Sequence, residues 1–339
     1  RLAVQVPVPS PSPDGSTLTS AESTSAAPGD ESRNAATPES AVSPQTPDAL
    51  VPRATATSAA DRAPQASKSR RADRKKGITA LALSPDGSRL GSAGDDGVVR
   101  LWDASANELF ALAGHSGRVL VGMAFSAGGQ RLASAGRDTE IRVWDATTGQ
   151  QTQMLLAQEH PIRTLAASPD GQFLASAGEE TRIMLWEAAT GKLRNILNGH
   201  RDFINSVAFS PDSKLLASAG ADTRILVWDV TTGKILRTLI GHSDEINAVA
   251  FSPDGKFLAS AGQDQTVILW NATTGQIQQT LTGHQAPIRA LAFSRNSKTL
   301  ASAGQDSQIL AWNTANGKPR KIPTGTVSFV NTLVFQPNG

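Results

Sequence analysis

The sequence predicts an all-β array of repeated four-stranded units, and three observations predict it. Tryptophan recurs at positions 102, 144, 186, 228, 270 and 312, each 42 residues after the last. A glycine follows five residues after all but the first of them, as Gly149, Gly191, Gly233, Gly275 and Gly317. Each interval holds four short runs of β-forming residues divided by turn residues. Self-similarity at this period, with four strand signals per unit, marks a ring of blades, a β-propeller.

The unit at 246–281 shows the local reasons. Ile246 to Phe251 is a β-rich run closed by Ser252-Pro-Asp-Gly255, where Pro presets φ and Gly ends the turn cheaply. A second strand follows over 256–262 and a third over 267–270. The hairpin Ala272-Thr-Thr-Gly275 then leads into a fourth strand, 276–281. In the first unit Asn107 stands where the others have hairpin glycine, and Asn tolerates positive φ best after Gly. The third strands, such as Ile183-Met184-Leu185, are apolar on both faces, which fits sheets packed face to face. Small residues in the recurring Ala-Ser-Ala-Gly suit places where sheets approach closely.

Gly-His pairs at 114–115, 199–200, 241–242 and 283–284, with Trp-Asp pairs at 102–103, 144–145 and 228–229, complete the pattern. On these residues the chain resembles the WD40 repeat family across residues 77–339. Its Ser-Pro-Asp-Gly and Thr-Thr-Gly turns resemble those of bacterial members. The resemblance implies a buried tetrad of His, Ser, Asp and Trp in each blade. It maps onto His115, Ser134, Asp138 and Trp144, and onto His200, Ser218, Asp222 and Trp228. The later sets are His242, Ser260, Asp264 and Trp270, then His284, Ser302, Asp306 and Trp312. Physical chemistry agrees, because a buried indole N–H, imidazole and carboxylate each need a partner, and linking them satisfies all. Ser, His and Asp together could be taken for a hydrolase triad, but a nucleophile is needed once and this set recurs in blade after blade.

Two units depart. The first has Arg74 at the histidine position. The third has Gln158 there, with His160 two residues on, Glu180 for Asp, Glu187 after Trp186, and Ala167 where other units have Phe209, Phe251 or Phe293. His160 is expected to plug its own blade through a shortened loop, with a surface or ligand role as the other reading. After the sixth unit, 327–335 reads as the first strand of a seventh blade, so the expectation is a seven-bladed ring cut within its last blade.

Residues 1–76 contrast with this. They hold 10 of the 19 prolines and no Phe, Trp or Ile, too little apolar surface to offset the entropy of ordering. They are expected to be a disordered linker, although Leu2, Val4, Val6 and Val8 alternate as an edge strand would. The chain begins at Arg1, so it is expected to be a piece of a longer polypeptide. Residues 68–76 carry six basic and one acidic side chain, whereas 77–339 carry 22 of each sign. The basic run could give weak, salt-sensitive contact with a polyanion or keep the junction soluble. The neutral domain has no bias toward sequence-specific nucleic-acid binding. No apolar run is long enough to span a membrane as a helix. The absence of Cys and Tyr excludes disulfides, zinc–thiolate clusters and thiol or phenol chemistry, yet leaves the compartment open.

With these groups absent and four histidines in tetrads, a catalytic propeller has few residues left. The reading is a non-catalytic scaffold or regulatory module, with no cofactor, metal or small-molecule substrate, attached through its linker to another domain such as a kinase or protease. The resemblance places a protein or peptide partner on the top face. Its rim positions in this register are Arg118, Arg137, Arg163, Phe203, Asn205, Glu245, Asn247, Arg289 and Phe329, and Arg and aromatics are the usual interface anchors.

Overall fold

The computed structural model describes residues 77–116, 120–156, 158–323 and 329–335. The expected linker over 1–76, its basic run and Arg118 lie outside these residues. The described chain forms six four-stranded antiparallel sheets over 78–112, 120–156, 162–198, 204–240, 246–281 and 288–322, each a simple meander. No described helix is long and apolar enough to cross a membrane.

The fifth sheet has strands Ile246–Phe251, Phe257–Gly262, Val267–Asn271 and Ile277–Leu281. Burial falls from the inner strands outward: the second strand ends in five buried residues, whereas the fourth is mostly exposed. From the second sheet on, the first strand of each packs on the first and second strands of the sheet before it. The core therefore lies between sheets. Val207 and Phe209 of the fourth sheet share a cluster with Ala175, Ile183 and Leu185 of the third, and the remaining junctions repeat the arrangement. The third to sixth sheets bury both faces of their third strands, which is why those strands show no in/out alternation, whereas Arg100 and Arg142 interrupt the burial in the first and second.

The first hairpin corrects one expectation. Its left-handed residue is Ala106, at φ 64°, not Asn107. Trp102 pairs with Glu108, six positions on, while Trp144 pairs with Gln151, seven on, so the first turn is one residue shorter. Asn107 instead ties the turn through its backbone N–H and its amide, which donate to the Asp103 carboxylate at 2.8 and 2.9 Å.

The expected strand at 327–335 is not formed within its described part, 329–335. Among the described residues no further strand lies beside it to complete a ladder. The segment is nonetheless placed: Val330 N–H donates to Gly304 O, and the Asn331 amide donates to Ile78 O, each at 3.2 Å. Val330 and Leu333 are buried against Ala301, Ala303 and Ile309. The segment thus lies between the sixth sheet and the first.

Candidate functional site

Four sheets carry the same polar chain, assembled from two loop residues, a histidine and an aspartate, and from the second and third strands. In the fifth sheet Trp270 Nε1–H donates to Ser260 Oγ at 2.8 Å, Ser260 Oγ lies 2.7 Å from His242 Nε2, and His242 Nδ1 lies 2.7 Å from Asp264. His115, Ser134, Asp138 and Trp144 repeat it with distances of 2.7 to 2.8 Å. His200, Ser218, Asp222 and Trp228 do so at 2.7 to 3.0 Å, and His284, Ser302, Asp306 and Trp312 all at 2.7 Å. The backbone N–H after each histidine also donates to the carboxylate, for example Ser243 to Asp264 at 3.2 Å.

Only one proton arrangement satisfies every member. Indole donates to the hydroxyl, the hydroxyl donates to Nε2, and Nδ1–H donates to the carboxylate. A protonated imidazole would turn Nε2 into a donor and leave the hydroxyl proton without its short acceptor. Burial accordingly pushes His115 and His242 below the ordinary histidine value, against the pull of Asp138 and Asp264. Burial alone would raise Asp222 and Asp264. Hydrogen bonds and charge from His200, Arg201 N–H and Arg224 hold Asp222 well below the usual carboxylate range, and those from His242 and Thr266 hold Asp264 below it.

The third sheet is different, and His160 is a correction. Gln158, not His160, enters the blade: it is buried, and its amide donates to Ser176 O at 3.3 Å. Trp186 still donates to Ser176 Oγ at 3.0 Å. The His160 side chain is 59% exposed and reaches Glu180 only at 3.6 Å, because it lies two residues too late to turn inward. Glu180 is occupied by Arg182 at 2.6 Å and by Glu159 N–H at 3.0 Å. The Gln158 Oε1 atom is buried without a hydrogen-bond partner. Gln158→His should therefore raise the melting temperature by a few degrees, about 1 kcal/mol, through a bond to Ser176 Oγ and relief of that oxygen. An unchanged or lower midpoint in a thermal melt would show that the longer Glu180 side chain cannot receive the imidazole.

Among the described residues one group has the spacing of metal ligands, His115, Asp138 and Glu140. Its members already have partners: Asp138 receives His115 and Ser116 N–H, and Glu140 receives the Arg142 guanidinium at 2.6 Å. A resident cation at Arg142 opposes a second one, so the group is read as part of the ion-pair network.

The rim residues separate into two kinds. At the start of several first strands one side chain reaches the neighbouring sheet. The Asn205 amide donates to Ile246 O at 3.1 Å, Asn247 to Ile288 O at 2.8 Å, and Thr79 Oγ1 to Leu120 O. Asn331 joins Ile78 in the same way. Asn205 and Asn247, expected at a partner surface, thus staple sheet to sheet. Thr79 was not foreseen, although recurrence of Asn at one register was a signal of such a shared structural task. Arg163 is also engaged. It donates to Asn205 Oδ1 at 2.9 Å and to Glu179 at 3.2 Å, and its guanidinium lies 4.9 Å from the centre of the Phe203 ring.

The other kind faces solvent. Phe203 is 41% and Phe329 36% exposed. Arg137 and Arg289 are exposed and Glu245 is half-buried. With the Gln305 amide oxygen turned toward it, Arg289 donates at 2.8 and 3.2 Å. Gln305 occupies the register of Glu179, so Arg289 keeps a charge that Arg163 shares with a carboxylate.

A family model described as the first β-propeller of WDR19 matches residues 121–314, more than half of the chain. A second, described as the WD domain, G-beta repeat, matches residues 68–103. No curated protein matches the chain.

Proposed function

Because the chain belongs to the WD40 repeat family of β-propellers, whose propellers typically serve as protein-interaction scaffolds, we propose that it binds a protein or peptide partner on the rim formed by the starts of its first strands. It does so without catalysing a reaction. The observation that carries this reading is Phe203, an exposed aromatic ring held in place beneath Arg163 on that rim. A pre-positioned aromatic–arginine pair gives contact area at little cost in conformational freedom, the property of an interface anchor. The repeated Ser, His and Asp groups are absorbed by the blades, which supports the absence of catalysis. Exposed Arg137, Arg289 and Phe329 extend the surface around the rim. The segment at 329–335, stapled to Ile78, supports a ring of seven places. The linker would tie the module to another domain, which the partner would then regulate.

Truncating Phe203 and Arg289 together to Ala should weaken the partner by more than about 2 kcal/mol. Melting should shift by no more than about 2 °C, since neither residue belongs to a tetrad or sheet core. Affinity capture with the full chain and the double variant, followed by titration of the recovered partner, is the check. Unchanged affinity moves the site elsewhere, and an unfolded variant makes these side chains packing residues.

A further inference from the structure

We propose that the junction between the second and third sheets is a seat for the phenylalanine side chain of a separate partner protein, presented next to an acidic residue. The seat is defined by the repeat itself. Nineteen residues before the tryptophan register stand Phe125, Phe209, Phe251, Phe293 and, in the last segment, Phe335. Each such ring lies against the sheet before it. Phe209 shares a cluster with Ala175, Phe251 with Ala217 and Phe293 with Ala259. In the third sheet this position is Ala167, and a cavity takes the place of the ring. It opens to solvent and is lined by Ala133, Val143, Ala167, Leu174 and Phe173. Ala133 is the counterpart of Ala175, Ala217 and Ala259, so the floor matches that of the occupied seats.

A second departure from the repeat meets the first at the same mouth. In the first, third, fourth and fifth sheets the turn after the first strand carries an acid bonded to its serine, as in Ser84–Asp86 at 2.6 Å and Ser252–Asp254 at 2.7 Å, and in the sixth Asn296 takes the place of the acid. In the second sheet that turn is Ser126-Ala127-Gly128-Gly129, without the proline or the carboxylate. Ser126 of this turn lines the cavity. Arg131 lines the cavity and reaches across to Ala188 O at 3.4 Å. Among the described residues no carboxylate forms an ion pair with it. An apolar seat at the place of an absent ring, beneath an unneutralised guanidinium, fits a benzyl group beside a carboxylate. Residues 1–76 contain no phenylalanine, so the linker cannot supply the ring.

The test uses the full chain and two capped peptides, acetyl-Gly-Phe-Asp-amide and acetyl-Gly-Ala-Asp-amide, titrated by ligand-observed NMR. The phenylalanine peptide should bind at least about tenfold more tightly, as burial of a benzyl group predicts. Ala167→Phe should abolish the preference by filling the seat, and Ala167→Leu serves where the first variant does not fold. Arg131→Gln should lower affinity for the Asp peptide to that of its Asn counterpart. No preference for phenylalanine overturns the proposal, including the case where Ala167→Phe merely raises the melting temperature. A preference that survives in a folded Ala167→Phe variant also overturns it. Concentration-dependent self-association lost in Phe203→Ala would replace the separate partner with a second copy of the chain.

Discussion

Replacing Gly262 by Ala should destabilise the protein by about 3 kcal/mol or more, the largest loss expected from adding one methyl group. A Cβ on Gly262 would lie 2.0 Å from the carbonyl oxygen of Glu245, far inside van der Waals contact. That oxygen belongs to backbone and cannot swing aside. It is also committed, since it accepts from Gln263 N–H at 2.8 Å. Relief requires the first and second strands to part where their register already shifts, between Ile246 and Ala248. The same approach recurs at Gly94, Gly178, Gly220 and Gly304, with distances of 1.9 to 2.2 Å to the facing carbonyl. Glycine here answers close backbone approach and not a left-handed φ. Gly255 is the contrast: its φ is 70°, but a Cβ there meets nothing within 4 Å. Gly255→Ala should therefore cost only about 1 kcal/mol of backbone strain. Urea denaturation of the two variants makes the comparison. A loss at Gly262 no larger than at Gly255 would mean that the sheet yields and the close approach is not a constraint.

Six tryptophans at one spacing made the blade count and strand order of 78–322 legible, because every unit repeats the same solution to the same packing problem. The partners of Ser260, His242 and Asp264 were legible for the same reason. What escaped was local. Asn107 was misread because a turn one residue shorter moves the left-handed position to Ala106, and the sequence offers no independent measure of turn length. His160 was misread because residue type was weighed above register. Gln158 holds the inward position, and two residues of displacement leave an imidazole on the surface. The rim was legible as a set of positions but not as a set of tasks. Whether an Asn at a strand start faces a partner or the next sheet depends on an inter-sheet distance of a few ångström. Asn205 and Asn247 meet the neighbouring carbonyls, while Arg289, too long for that seat, turns to Gln305.

His242→Ala should lower stability by about 1–3 kcal/mol at neutral pH, whereas His160→Ala should cost no more than a few tenths. The difference follows from what each side chain leaves behind. Removing His242 takes the acceptor from the Ser260 hydroxyl and one donor from the Asp264 carboxylate, both well shielded from water. Removing His160 costs only a 3.6 Å contact at an exposed site. Acid should act through the same groups. Folding depresses the pKa of His115 and His242 below the ordinary 6.5, so the unfolded chain binds protons first as pH falls. Their contribution is complete above pH 6.5 and is lost as pH drops through that value toward the depressed one. Asp222 and Asp264, also depressed, add a second loss with the same sign below the ordinary aspartate value of 3.8. Stability should therefore fall from pH 7 toward pH 5, then more steeply below pH 4. His242→Ala should flatten the first slope by removing a group that titrates there. Denaturation midpoints at pH 7.5, 6, 5 and 4 for both proteins provide the measurement. Parallel curves from pH 7.5 to 5 would mean that His242 is not held neutral by its burial. Equal losses for His242→Ala and His160→Ala would mean that the chain through Trp270, Ser260 and Asp264 is not what secures the fifth blade.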